Sequence, residues 1–217
     1  MNKHPISPWL GLGLWLVLAP AGVLAAQPGI PLYGHADLLR PRYSTRDRTE
    51  NTGMPLSPTD LSCRADLRLS EEPQEIVSGV RTIGHIDPRP YPMGASPNHT
   101  IRLGGQWVPD PYRDDQSLVL EVAGGVVLLC GCCHAGLRNT LAALRRQTDA
   151  PLVAVLGGTH LANADAAEMR AIIKVLRTEG VPDLYLNHCT GTRAIQVLAQ
   201  EFGERVAPCP AGTVITL

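Results

Sequence analysis

From Ser117 onward the chain alternates apolar runs with amphipathic ones in a regular order. Ser117–Val122 and Val126–Cys130 are β-branched or apolar runs separated by Ala123-Gly124-Gly125, the pattern of a hairpin. Gly136–Gln147 changes to helical spacing, with Leu137, Leu141 and Leu144 on one face. Pro151 ends that run, and Leu152–Leu156 predicts a buried strand. Asp165–Glu179 predicts an amphipathic helix stopped by Gly180 and Pro182. A strand over Asp183–Asn187, a helix over Thr192–Phe202, and strands at Arg205–Ala207 and Thr213–Leu217 complete the order. Strands that end in loops feeding helices make this half an α/β arrangement.

The pattern upstream is weaker. Residues 40–113 hold ten of the nineteen prolines and few apolar runs, which predicts long loops and short edge strands rather than a second core. Ile76–Ile83 alternates well enough for one strand, and Ile30–Gly34 for another. No Lys, Arg, Asp or Glu occurs from Pro5 to Gly34, and Trp9–Ala26 is dominated by Leu, Val, Ala and Gly. Lys3 before it and the small residues around Val23-Leu24-Ala25 give it the character of a secretory signal peptide. Pro20, Gly11, Gly13 and Gly22 argue against a membrane span. A buried apolar helix leading into the strand at Ile30 is the other reading. The expected organisation is therefore an apolar segment over 1–27 and a single domain over 28–217.

Charge and composition narrow the function. Nineteen Lys+Arg against twenty Asp+Glu leave a net charge of -1, which gives no electrostatic footprint for nucleic acid and no basic membrane patch. The hydrophobic fraction of 44% excludes a disordered chain, and nine aromatics make the core aliphatic. Six cysteines do not form a disulfide framework, because Cys130, Cys132 and Cys133 crowd into one apolar run of a chain too large to need staples.

Three loops repeat one design: an apolar strand ends, Gly and His follow, and a helix begins. They are Cys130-Gly131-Cys132-Cys133-His134-Ala135-Gly136, Gly157-Gly158-Thr159-His160-Leu161 and Asn187-His188-Cys189-Thr190-Gly191. Loops at the ends of parallel strands share one sheet edge, so His134, His160 and His188 can converge as metal ligands or catalytic groups. A single histidine of this kind is more often structural; three in equivalent loops favour a cluster. Helices opened by Gly136 and Gly191 point free backbone N–H groups at that edge, which suits an anionic substrate. Thr190 or Thr192 as a simple helix cap is the bland alternative.

These residues resemble a known family. Gly131-Cys132-Cys133-His134-Ala135-Gly136-Leu137-Arg138-Asn139, Gly157–Leu161 and His188–Gly191 match, in order, three motifs of metallo-β-lactamase-fold proteins. Within that superfamily they resemble the branch of dihydropterin–ribofuranosylaminobenzene phosphate synthases. Asp114-Asp115-Gln116 before the hairpin also fits, as does Ile30–His35 more loosely. The resemblance implies an α/β fold, a four-layer αββα sandwich with one or two metal ions at the sheet edges. It implies zinc, or another divalent transition metal such as manganese or nickel, and a metal-dependent hydrolase or transferase. By resemblance His134 holds one metal and His188 the other, while His160 is a ligand or touches substrate. Asn139, Cys189, Thr190 and Gly191 then orient a small anionic substrate, phosphate-bearing or pterin-like. The expected partner is that small molecule, with no nucleic acid and no stable membrane span, and the expected location is cytoplasmic, or exported if residues 1–25 are a signal peptide.

The sequence departs from the family at two places: Gly157-Gly158-Thr159-His160 carries no carboxylate where most of the superfamily has a bridging Asp, and the larger departure is at the front. The superfamily's principal metal motif is His-x-His-x-Asp-His, and no two histidines here stand two apart. On this basis the chain is expected to be incomplete at its amino terminus, with Trp9–Ala26 corresponding to the helix after that motif. A catalytic zinc takes three protein ligands and water, so His134, His188 and either His160 or a cysteine must serve. Two rival functions remain: an inactive remnant that binds metal weakly or not at all, and a thiol redox protein using the Cys-x-x-Cys pair Cys130/Cys133. The second needs an exposed first cysteine at a helix start, whereas Cys130 ends an apolar strand. Asp114 and Asp115 are neighbours on extended chain and point to opposite faces, so one of them fixes a turn or a neighbouring loop rather than both meeting a substrate.

Overall fold

A computed structural model describes residue 24 and residues 27–45 and 49–216 of the chain. The apolar segment Trp9–Ala26, and with it the choice between signal peptide and helix, lies outside the described residues except for Leu24. In chain order the elements are β1 (Ile30–Gly34), β2 (Arg42–Ser44), β3 (Glu50–Asn51), α1 (Pro58–Ser62), β4 (Ala65–Leu69), β5 (Glu75–Val77), β6 (Val80–Thr82), β7 (His99–Leu103) and β8 (Gln106–Pro109). They continue with β9 (Ser117–Val122), β10 (Gly125–Cys130), α2 (Leu137–Arg145), β11 (Leu152–Gly157), α3 (Ala166–Thr178), β12 (Asp183–Leu186), α4 (Thr192–Phe202) and β13 (Val206–Pro208).

Seven strands form one mixed sheet in the order β13-β12-β11-β10-β9-β6-β5. It is parallel from β10 to β13 and antiparallel from β10 to β5. Leu137, Leu141 and Leu144 of α2, Ile172 and Leu176 of α3, and Ala194 and Leu198 of α4 bury one aliphatic face against Val126, Leu128 and Cys130 of β10 and Val155 of β11. Val127 faces the other way on β10 and is also fully buried, so both faces of this central strand are covered. Asp165 caps α3, its side chain accepting from the Glu168 N–H.

Three expectations need correction. Ile76–Ile83 is a hairpin, β5 and β6, because Gly79 takes φ +77° and turns the chain after Val77. The short strands expected in residues 40–113 do more than edge another sheet: β3-β2-β7-β8 form a four-stranded sheet of their own, and β4 pairs in parallel with β1. Leu24, Leu32, Leu61 and Ala65 close a small second core beside that pair. Residues 213–216 form no strand; Val214 is 90% exposed and has no apolar face to cover. No helix among the described residues is long and apolar enough to cross a membrane.

Candidate metal centre

Register brings the three loops together. Cys130 is the partner of Gly157, and Gly157 of Leu186, so β10, β11 and β12 end on one line and release their loops side by side. The fit at that line is tight, since a Cβ on Gly157 would stand 2.0 Å from the Cys130 carbonyl oxygen. Among the described residues five non-glycine positions have positive φ, and Cys133 (60°), His160 (50°) and His188 (47°) lie one in each loop. A fourth, Tyr112 (46°), packs on His134. Backbone held this way persists only where surrounding structure fixes it, which marks the edge as a built site.

The side chains meet in two groups that share Cys132. Ligand atoms of Cys132, His134 and His160 lie within 4.8 Å of one another, and so do those of Cys132, His188 and Cys189. The His134 and His160 rings are 4.4 Å apart. Cys132 Sγ is 3.4 Å from His160 Nδ1 and 3.0 Å from Cys189 Sγ, which itself lies 3.2 Å from the Cys132 carbonyl oxygen. His134 and His160 therefore meet directly, while exposed His188 belongs to the neighbouring group and is joined to them through Cys132.

The surroundings prepare His134 as a ligand. Its Nδ1 donates to the Gly94 carbonyl at 3.3 Å, which fixes the tautomer and leaves Nε2 with its lone pair. Burial first, then the neighbouring His160, pull its pKa down to about 4, so it is neutral at pH 7. Tyr112 stacks on the ring at 4.0 Å and 10°, and its hydroxyl lies 2.5 Å from His99 Nδ1. Burial pushes the Tyr112 phenol up, so it keeps its proton and donates. Asp115 Oδ2 accepts from the Ala135 N–H at 2.9 Å and pins the His134 loop from behind, while Asp114 pairs with Arg42. The two carboxylates do diverge. Burial pushes the Asp115 pKa up to about 6.

The thiols differ from one another. The hydrogen bond from Cys132, opposed by burial and aided by His160, brings Cys189 down to about 5, and the same bond pushes Cys132 up. Cys130 and Cys133 are buried in the sheet core, and the Cys133 thiol is pushed up by Cys130 and by burial, the reverse of a reactive redox pair.

Two of the expected substrate residues, Asn139 and Thr190, bond neighbouring loops. Asn139 is fully buried; its Oδ1 accepts from Tyr91 N–H, and its Nδ2 donates to the Tyr91 and Ala135 carbonyls. It clamps the Pro-rich loop that carries Gly94 over the site. Thr190 Oγ1 accepts from Thr159 N–H at 3.0 Å and joins the second and third loops, so neither Thr190 nor Thr192 caps α4; the cap is Gly191. Cys189 lies in the centre itself. Sequence reading did not single out Tyr112, His99, Gly94 or the central place of Cys132, although the Cys-x-His spacing of Cys132 and His134 was a signal for the last.

The donor set suits a borderline transition metal. Imidazole nitrogen and thiolate sulfur favour zinc and similar ions, whereas magnesium and calcium want oxygen.

No protein-family model matches the chain. It is 26% identical over 198 residues to the 7,8-dihydropterin-6-methyl-4-(beta-D-ribofuranosyl)-aminobenzene-5'-phosphate synthase of Methanocaldococcus jannaschii, covering 86% of this chain and 66% of that protein. The chain thus spans just under two thirds of its relative's length. Among solved structures it superposes with a TM-score of 0.78 on Tm1679, a metal-dependent hydrolase of the beta-lactamase superfamily, at 22% identity over 89% of this chain and 73% of that one.

Proposed function

We propose, from the premise that the chain has the metallo-β-lactamase fold and resembles the dihydropterin–ribofuranosylaminobenzene phosphate synthase branch, that it is a metal-dependent hydrolase or transferase acting on a small anionic substrate. One observation carries the reading: Cys132, His134 and His160 present ligand atoms within 4.8 Å of one another at the shared end of β10 and β11. Three protein ligands are what a catalytic zinc takes. His188 and Cys189 stand next to them through Cys132.

Zinc bound there would supply Lewis acidity and a lowered pKa for a coordinated water. The chain's own residues do the rest. Gly94 holds the His134 proton on Nδ1, away from the centre. Tyr112 covers one face of the His134 ring and excludes water from it. Gly191 opens α4 with no side-chain cap, and the N–H groups of that first turn favour an anion beside the cluster, whereas the Gly136 N–H at the start of α2 donates to the Cys133 carbonyl at 3.0 Å. A phosphate-bearing substrate, as in the name of the archaeal relative, matches that electrostatic setting. Asn139 and Thr190 hold the loops that frame the cluster.

The inactive-domain reading has one fact in its favour, the absence of a His-x-His-x-Asp-His run from these 217 residues. Metal analysis separates the two. The enzyme reading expects about one zinc or more per chain, lost in His134→Ala and His160→Ala, together with cleavage of a chromogenic phosphate ester that inorganic phosphate inhibits. Protein that binds no zinc, manganese or nickel and is indifferent to chelator would establish the inactive domain instead.

A further inference from the structure

We propose that Cys132 and Cys189 form an oxidisable pair, a modification site whose disulfide and the metal exclude each other. Three observations lead there. The two sulfurs are 3.0 Å apart although 57 residues separate them in sequence, and a disulfide needs about 2.05 Å. Closing the bond therefore takes a shift of about one ångström between the Cys132 loop and the single 3-10 turn His188–Thr190 that carries Cys189. Both residues are half-buried at the sheet edge, whereas Cys130 and Cys133 are sealed in the core and Cys63 stands exposed. Finally, Gly158 lies under the pair: a Cβ there would stand 2.8 Å from Cys189 Sγ, so the glycine makes the space that the thiol occupies.

The co-reactant is hydrogen peroxide. One thiolate attacks the peroxide oxygen, forming a sulfenic acid and releasing hydroxide, which takes up a proton to become water. The second thiol then attacks the sulfenic sulfur, the S–S bond forms, and a second water leaves. Two thiols lose two electrons and two protons; one peroxide becomes two waters. A dithiol reductant reverses the step. Cys132 belongs to both ligand groups found among the described residues, so the disulfide withdraws a donor from each of them. Conversely, a metal that engages Cys132 shields it from peroxide. This coupling rests on the metal reading above, whereas the disulfide itself does not.

Hydrogen peroxide is added in equimolar amount to metal-free protein, and tryptic peptides are mapped without reduction. Free thiols should fall from six to four, with Cys132 and Cys189 linked within one chain and the link reversed by dithiothreitol. The oxidised protein should bind zinc at least about tenfold more weakly, and zinc added first should slow the crosslink. Cys189→Ser should abolish the link, whereas Cys63→Ser, outside both ligand groups, should leave the link and zinc binding unchanged. Peroxide that leaves these two thiols free, or links Cys130 to Cys133 instead, overturns the proposal. Crosslinked protein that binds zinc as tightly as reduced protein overturns the coupling. Reduced protein that forms the link but takes up no zinc sinks the metal reading and leaves the oxidisable pair standing.

Discussion

Single side chains here act mainly by placing others. Asp115 is 8% exposed and sits behind the His134 loop, with Oδ2 on the Ala135 N–H. Asp115→Ala leaves that donor buried without a partner, a loss of about 1–3 kcal/mol. The expected outcome is a lower denaturant midpoint and weaker zinc binding together, whereas Asp115→Asn, which keeps an acceptor, should retain most of both. His134 gives the pH response of the metal-free protein. Its folded pKa is about 4 against an ordinary 6.5, so between those values the unfolded chain binds more protons than the folded one. The stability it contributes is complete above pH 6.5 and is lost as pH falls through 4. Thermal melts of metal-stripped protein at pH 7 and pH 4.5 should therefore differ less in His134→Gln than in the parent, and equal differences would refute the assignment.

At the scale of elements, what could be read from sequence follows what is buried. The strands and helices after Ser117 fall within a residue or two of the hydrophobic pattern, since Leu141, Leu144, Ile172, Leu176 and Leu198 all reach one core. Leu176→Ala, at 0% exposure, should cost about 2–5 kcal/mol by the cavity it leaves, read as a drop in urea midpoint with zinc stoichiometry unchanged. The front half has little such signal. Ile76–Ile83 alternates through a turn because Gly79 reverses the chain without breaking the alternation. The histidine loops were legible for the same reason as the strands: a run ends, and Gly and His follow. Contact between Cys132 and Cys189 was not, because it depends on the register of β10, β11 and β12, in which Cys130, Gly157 and Leu186 end level. No local pattern encodes that alignment.

On the scale of the molecule, the question is how the four-stranded sheet affects a centre built wholly on the seven-stranded one. Arg42 is the link. It lies on β2, donates from Nε to Asp110 Oδ2 at 2.6 Å and pairs with Asp114 through its Nη2. The Asp110 side chain is completely buried and its other oxygen accepts from Tyr112 N–H at 2.8 Å. Tyr112 in turn stacks on His134, so the contacts run unbroken from one sheet to the ligand. Arg42→Ala strands a buried carboxylate and should cost about 3–5 kcal/mol. Because the loss passes through Tyr112, zinc affinity should fall as well, which a purely structural cost in the smaller sheet would leave untouched. Mass action then sets a check on both. Zinc at a hundredfold excess over its own Kd adds about 2.7 kcal/mol to any variant that keeps the centre. Arg42→Ala should accordingly need more zinc than Leu176→Ala to regain the same stability, and identical zinc dependence in the two would show that Arg42 does not reach the site.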